Sequence, residues 1–301
     1  MIKFRYLEDL KGYGHFKGDF LKVSDFLAEI HQDVLRPMSY PWGRWEWMFS
    51  LPYLDSTHLD SIGVWEDEGR IIALLTYESV FGEAYYVLND LYPYLKKEIL
   101  QHAIKDMQGP KGLKIVIPDH DHEMQRIALS LGMLATEEKE QLAAFDLNKK
   151  ITHKLPEGYY FTDMKENYDI KRYHQVLWRG FNHPGEPTMT EQDLKDRRIS
   201  LSGPHAELSR NVAVVAPDRS FVSYCGTWYK EKSYVALVEP VATDPHYRKM
   251  GLGKAAVLEA LRRCQLAGAK VALVGSGQQF YYSIGFYPYA TYTWWKYGKT
   301  L

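Results

Sequence analysis

The sequence predicts an α/β protein made of two tandem copies, each a mixed sheet flanked by helices. Three observations carry this prediction. Strand-like and helix-like segments follow one another in the same order twice along 301 residues. Early strands arrive as hairpins, whereas a helix crosses over before the later ones, which calls for a sheet with both antiparallel and parallel pairs. A polar stretch, NKKITHKLPEGYY, carries Pro156 and Gly158 and has the composition of a linker. With about 150 residues expected per domain, the copies divide near Lys150, as 1–150 and 151–301.

In the first copy GDFLKVSDFLAEIHQDVL forms a helical lead. SIGVWEDEGRIIALLTYE, from Ser61 to Glu78, is strand, polar turn with Gly69, and strand, and EAYYVLND continues the sheet. LKKEILQHAIKDM sets Ile99, Leu100 and Ile104 on one helical face, LKIVIP is a strand, DHEMQRIALSLGM is a helix closed by Gly132, and EQLAAFDL ends the copy. The second copy repeats the plan. Its lead is YDIKRYHQVLWRGF, its hairpin is RNVAVVAP with FVSYCGTWY, and SYVALVEPVAT is the next strand. KAAVLEALRRCQLAG is a helix stopped at Gly268, AKVALVGS a strand, QQFYYSIGF a short helix ended by Gly285, and YATYTWWKY the last strand.

Composition narrows the class. The chain is 46% hydrophobic and 25% charged, as in ordinary globular proteins. Its net charge of −1 lacks the basic footprint of a nucleic-acid binder. Cys225 and Cys264 are the two cysteines, without CxxC spacing, so neither a disulfide framework nor a cysteine zinc site is expected. The first residues have acids and glycines where a signal peptide needs an apolar run, and no window approaches about 18 apolar residues. A cytoplasmic protein without membrane or nucleic-acid partners is the expectation.

The most informative stretch is VATDPHYRKMGLGKAAVLEALRRC, from Val241 to Cys264, where a strand passes into a helix. A helix N-terminus carries about half a positive charge and unpaired N–H groups. Glycine there lets an anion approach the backbone, and Arg248, Lys249 and Lys254 add cations, so Arg248-x-x-Gly251-x-Gly253 has the form of a pyrophosphate cradle. The competing explanation is a turn that needs glycine for geometry alone. A nucleotide P-loop is excluded, because the earlier glycine is missing and Ala255 stands where Ser or Thr is required. The dinucleotide fingerprint fails too, for want of a third glycine and a downstream acid.

VATDPHYRKMGLGKAAVLEAL followed by FYYSIGF resembles the GNAT superfamily of acyl-CoA-dependent N-acyltransferases, over roughly 155 to 301, with the first copy an echo of the same fold. The resemblance implies two GNAT-like domains, the first degenerate. It implies that Arg248, Lys249, Met250, Gly251, Leu252, Gly253 and Lys254 hold the CoA pyrophosphate. It also implies that the backbone of Val241, Ala242 and Thr243 holds the thioester and pantetheine arm. Acetyl-CoA is then a co-substrate, no metal is expected, and the acceptor is an amine of a small molecule or peptide.

Tyr281 occupies the tyrosine position of that family's FYxxxGF pattern, where its hydroxyl would protonate the departing sulfur; otherwise Phe280, Tyr281, Tyr282 and Phe286 simply pack a helix onto the sheet. Glu239, on the strand before the loop, is a base for the amine or a solvent-facing residue. The following Pro240 denies a backbone donor and suggests a splay facing a cleft. Where many family members have asparagine this chain has Val274, with Ser276 or Gln278 as substitutes. The first copy has no glycine pair in LNDLYPYLKKEIL and Pro93 near its helix start, so it should not bind cofactor. YPWGRWEWMF, Tyr40 to Phe49, forms an interdomain core or lines a cleft, and Asp119 to Glu123 cap a helix or ligate a metal. Two rival functions remain open: a non-catalytic acyl-CoA sensor or scaffold, and a nucleotide-phosphate enzyme.

Overall fold

Apolar runs rich in Val, Ile and aromatic residues form the strands, and the helices follow their 3.6-residue periodicity. The computed structural model describes residues 1–30 and 37–298, the side chain of Lys232 excepted. The first copy comprises β1 (Lys3–Tyr6), α1 (Asp19–Ile30), α2 (Trp42–Phe49), β2 (Gly63–Asp67), β3 (Arg70–Tyr77), β4 (Glu83–Leu88), α3 (Lys96–Asp106), β5 (Leu113–Pro118), α4 (His122–Ser130) and β6 (Leu134–Asp146). The part of the expected lead helix over 31–35 lies outside the described residues. The second copy comprises β7 (Tyr160–Asp163), α5 (Ile170–Gly180), α6 (Glu191–Ile199), β8 (Val212–Val215), β9 (Phe221–Tyr229), β10 (Val235–Thr243), α7 (Leu252–Leu266), β11 (Val271–Val274), α8 (Gln279–Ser283) and β12 (Tyr287–Tyr297).

The two mixed sheets join into one of 12 strands, in the order β1-β2-β3-β4-β5-β12-β6-β11-β10-β9-β8-β7. Each copy hands its last strand across. β12 lies between β5 and β6, with Tyr292 opposite Pro118 on one side and Glu140 on the other. In turn β6 lies between β12 and β11, with Ala143 opposite Val274. The sheet is thereby closed over the join, and neither copy keeps a free edge there.

Helix α2 of the first copy also docks on the second. A Cβ on Gly43 would stand 2.8 Å from the Cβ of Leu237 on β10, so glycine is what permits that approach. The fully buried carboxylate of Glu46 accepts a hydrogen bond from the backbone N–H of His205 at 3.3 Å and contacts its ring. Trp42 and Trp45 are buried in the core beside it. The aromatic cluster from Tyr40 to Phe49 therefore builds an interdomain core, with Trp47 and Arg44 left to line a cavity.

Two parallel pairs decide where clefts open. β10 pairs with β11 only from Val235 to Leu237, and β4 with β5 only at Glu83 and Ala84. Beyond those residues the strands diverge. The first-copy gap is small, about 210 Å³, and its lining includes Met38, Asp90, Lys96 and Asp121. The second-copy gap is the larger, about 850 Å³.

Candidate functional site

The large cleft starts from a bend in β10. Pairing with β9 shifts register between Val238 and Val241, which leaves Glu239 and Pro240 bulged. Asp244 N–H donates to Val222 O at 3.0 Å. Because backbone groups alternate sides along a strand, the N–H groups of Val241 and Thr243 face away from β9, toward the space β11 has vacated. That edge is open.

From β10 the chain turns through a short helical turn, Pro245–Tyr247, which the buried Asp244 caps by accepting from His246 N–H at 2.9 Å. Lys249 and Gly251 are both left-handed, with φ of 63° and 80°. Gly251 caps α7, and Ala255 N–H makes the first bond of the helix, to Gly251 O at 2.9 Å. No side chain caps this turn. The N–H groups of Leu252, Gly253 and Lys254 therefore remain available, and all three residues line the cleft.

The two glycines serve different needs. At Gly251 a side chain would meet open space, so glycine is required there by the positive φ. At Gly253 a Cβ would stand 2.8 Å from Thr243 Oγ1, so glycine lets the helix approach the strand. Arg248 does not extend as a free cation. Its Nε donates to Thr243 O at 3.1 Å and its Nη2 to Gly180 O at 2.8 Å, tying the loop to the end of α5. Lys249 and Lys254 also line the cleft, and among the described residues Glu239 is the one carboxylate on its lining.

On that lining Glu239 and Tyr281 come together, and burial governs both. Glu239 is partly buried, its carboxylate has no hydrogen-bond partner among the described residues, and its pKa is raised to about 7, by burial first and then by the negative charge of Glu78, with Arg44 opposing. Burial likewise lifts the Tyr281 phenol well above its ordinary value, with Cys225 and Glu239 adding to the effect. Tyr281 is buried in the core and lines the cleft, whereas the partly buried Tyr282 packs against that core and is not on the cleft lining. Val274 also lines the cleft, as do Ser276 and Gln278, the residues named as substitutes for the family's asparagine.

A second cavity, of about 500 Å³, meets the first at Glu239, Gly275 and Ser276. Much of its wall comes from the first copy, including Arg44, Trp47, Glu78 and Glu140. The Tyr40–Phe49 run was expected to build an interdomain core or line a cleft, and it does both; the carboxylates that complete this wall, Glu78 and Glu140, sequence reasoning missed. Arg44 binds Glu78 at 2.6 Å and Glu140 at 3.0 Å, partners 34 and 96 residues away in the chain. Also missed was the end of α5, where Gly180, with Phe181 and Asn182 after it, lines the large cleft. Asp121, in the DHDHE run, caps α4 through Met124 N–H at 3.0 Å. No group of three or more potential metal ligands occurs among the described residues. None of the described helices is long and apolar enough to cross a membrane.

Comparison with known proteins gives the fold a context. Residues 170–288 match the acetyltransferase (GNAT) family model. Across its full length the chain is similar to the crystal structure of a GCN5-related N-acetyltransferase from Sphaerobacter thermophilus, at 12% identity, 98% coverage of that chain and a TM-score of 0.59. It is similar to a tandem GNAT protein from the clavulanic acid biosynthesis pathway, at 13% identity, with all of both chains covered and a TM-score of 0.60. N-myristoyltransferase of Saccharomyces cerevisiae, solved with myristoyl-CoA, is similar over 98% of this chain and 77% of its own, at 8% identity and a TM-score of 0.53. The sequence matches no curated protein. Strand order, cleft and family model agree: residues 170–288 match the acetyltransferase (GNAT) family model, in a chain whose whole length has the tandem GNAT fold.

Proposed function

We propose that this protein moves an acetyl group from acetyl-CoA to a primary amine of a small molecule or peptide, by direct attack in a ternary complex. One observation carries the reading: uncapped N–H groups at the start of α7, the open edge of β10, and the Glu239–Tyr281 pair line a single cleft that joins a second cavity. The donor set fits a diphosphate and an extended arm. Arg248 to Lys254 would hold the diphosphate through backbone N–H groups, and Val241 to Thr243 would line the arm. When bound, the thioester supplies an activated acyl carbon.

Glu239 then takes the proton from the incoming nitrogen, since a carboxylate with a pKa of about 7 is half ionised at neutral pH and is matched to that task. The N–H groups of Val241 and Thr243 face the side where negative charge would develop on the thioester oxygen. Tyr281, kept protonated by its burial, donates to the departing sulfur. Cys225 and Cys264 are buried in the core with thiol pKa values raised, which argues against a covalent acyl carrier. We place the protein in the cytoplasm, where free thiols such as these stay reduced.

We further assign cofactor binding to 151–301 and treat 1–150 as the degenerate copy. In the first-copy gap, Lys96 is engaged by Asp121 at 2.7 Å and Glu123 at 3.0 Å, where a phosphate would find carboxylates. The test is calorimetry with acetyl-CoA, together with free-thiol release over an amine panel, on wild type and Tyr281→Phe. CoA binding with turnover on at least one amine supports the reading, and Y281F should lower kcat about 10- to 100-fold with CoA affinity retained. Binding without turnover on any amine favours an acyl-CoA sensor. Absence of CoA binding sinks both.

A further inference from the structure

We infer that the acceptor is a small amine carrying a second positive charge, held away from the reacting nitrogen by Glu78 and Glu140. The inference rests on the acetyl-transfer reading, which places the reacting nitrogen at Glu239. From there the second cavity runs toward Arg44, and its charges do not balance. Arg44 donates through Nε and Nη2 to the two oxygens of Glu78, at 2.7 and 2.6 Å, and through Nη1 to Glu140 at 3.0 Å. One guanidinium thus faces two carboxylates.

The surplus is held in place. Arg44 is further fixed by donating to Ser39 O and Tyr85 Oη, both at 2.9 Å, and Tyr85 donates to the other Glu140 oxygen at 2.5 Å. Lys139 lines the same cavity, but its ammonium is directed to Asp119 at 2.8 Å. Ionised Glu239 adds to the negative charge. An attacking nitrogen must be neutral, so its own charge cannot offset this excess, whereas a second ammonium on the same molecule does. Trp47 and Tyr53 add aromatic faces to the wall, which also favour a cation. Arg197, whose charge reaches Tyr53, does not line this cavity, and its Nε donates to His174 Nδ1 at 2.9 Å.

The experiment is calorimetric titration of the CoA-saturated protein with 1,4-diaminobutane, butylamine, glucosamine and glycine. Diaminobutane should bind about tenfold more tightly than butylamine at low ionic strength, the gap closing as salt is added. Glu140→Gln and Glu78→Gln should each bring the two within about twofold. Equal affinities, a preference for glycine or glucosamine, or undetectable diamine binding at millimolar concentration would overturn the inference. If a variant fails to fold, the wild-type series and its salt dependence decide alone. Loss of CoA binding or of thiol release from every amine would instead remove the transfer reading, and the two failures are therefore separable.

Discussion

Gly226 lies directly beneath the bend that turns Glu239 out of the sheet. A Cβ at 226 would stand 2.7 Å from the Glu239 carbonyl oxygen and 2.9 Å from Pro240 Cδ. That carbonyl also accepts from Trp228 Nε1 at 3.1 Å, so the bend is held from the same side. Gly226→Ala should therefore cost about 1–3 kcal/mol of stability and lower kcat more than it raises the KM for acetyl-CoA. Denaturant unfolding alongside steady-state kinetics checks both parts.

The elevated pKa of Glu239 sets a pH dependence whose sign can be worked out. Its ordinary value is 4.5 and its folded value about 7, so the folded protein holds this proton more tightly than the unfolded chain. Its contribution to stability should fall as pH rises from about 4.5 and level off above about 7. kcat/KM should rise with pH along a limb near 7, which Glu239→Gln abolishes. Glu78→Gln removes the neighbouring negative charge and leaves Arg44 less compensated; both changes favour ionised Glu239 and shift the limb to lower pH. An unmoved limb in E78Q would show that another group titrates.

The glycines of the loop should separate by phenotype. Gly251→Ala puts a side chain into open space at positive φ, and should cost about 1 kcal/mol of stability while retaining measurable CoA binding. Gly253→Asp meets Thr243 and brings a negative charge to the start of α7, and should weaken CoA binding by more than about tenfold. Titration with CoA, compared with melting curves for the same proteins, distinguishes the two.

Strand exchange predicts the behaviour of fragments. Chain 151–301 alone would lack β6, the neighbour of both β11 and β12, and β5, the other neighbour of β12. It should be largely unfolded or aggregated when produced alone, and should recover ordered structure when co-expressed with 1–150. Circular dichroism and size-exclusion chromatography read this out.

The sequence made the element order legible because hydrophobic period, helix stops at Gly132, Gly268 and Gly285, and turn residues are local signals. The turn from Arg248 to Lys254 into α7 was legible for the same reason, since its shape resides in backbone and glycine at fixed spacing. Two kinds of feature were not. The interleaving of β6 and β12 depends on pairings such as Tyr292 with Glu140, some 150 residues apart in the chain, for which the strands carry no separate mark. The wall of the second cavity depends on Arg44 finding Glu78 and Glu140, and each of these alone looks like an ordinary surface charge. Arg248 was recognised as part of the loop, yet its grip on Gly180 could not be read without the fold.

Because β12 and β6 are woven between the neighbouring halves, the strands beneath the large cleft and those beside the second cavity belong to one continuous sheet. Domain opening like a clamshell would require tearing ladder after ladder of backbone pairs. On the proposed reading, reactants would come and go at the open mouth of the cleft, past the exposed Phe181 and Asn182 after α5, with both halves of the sheet still joined.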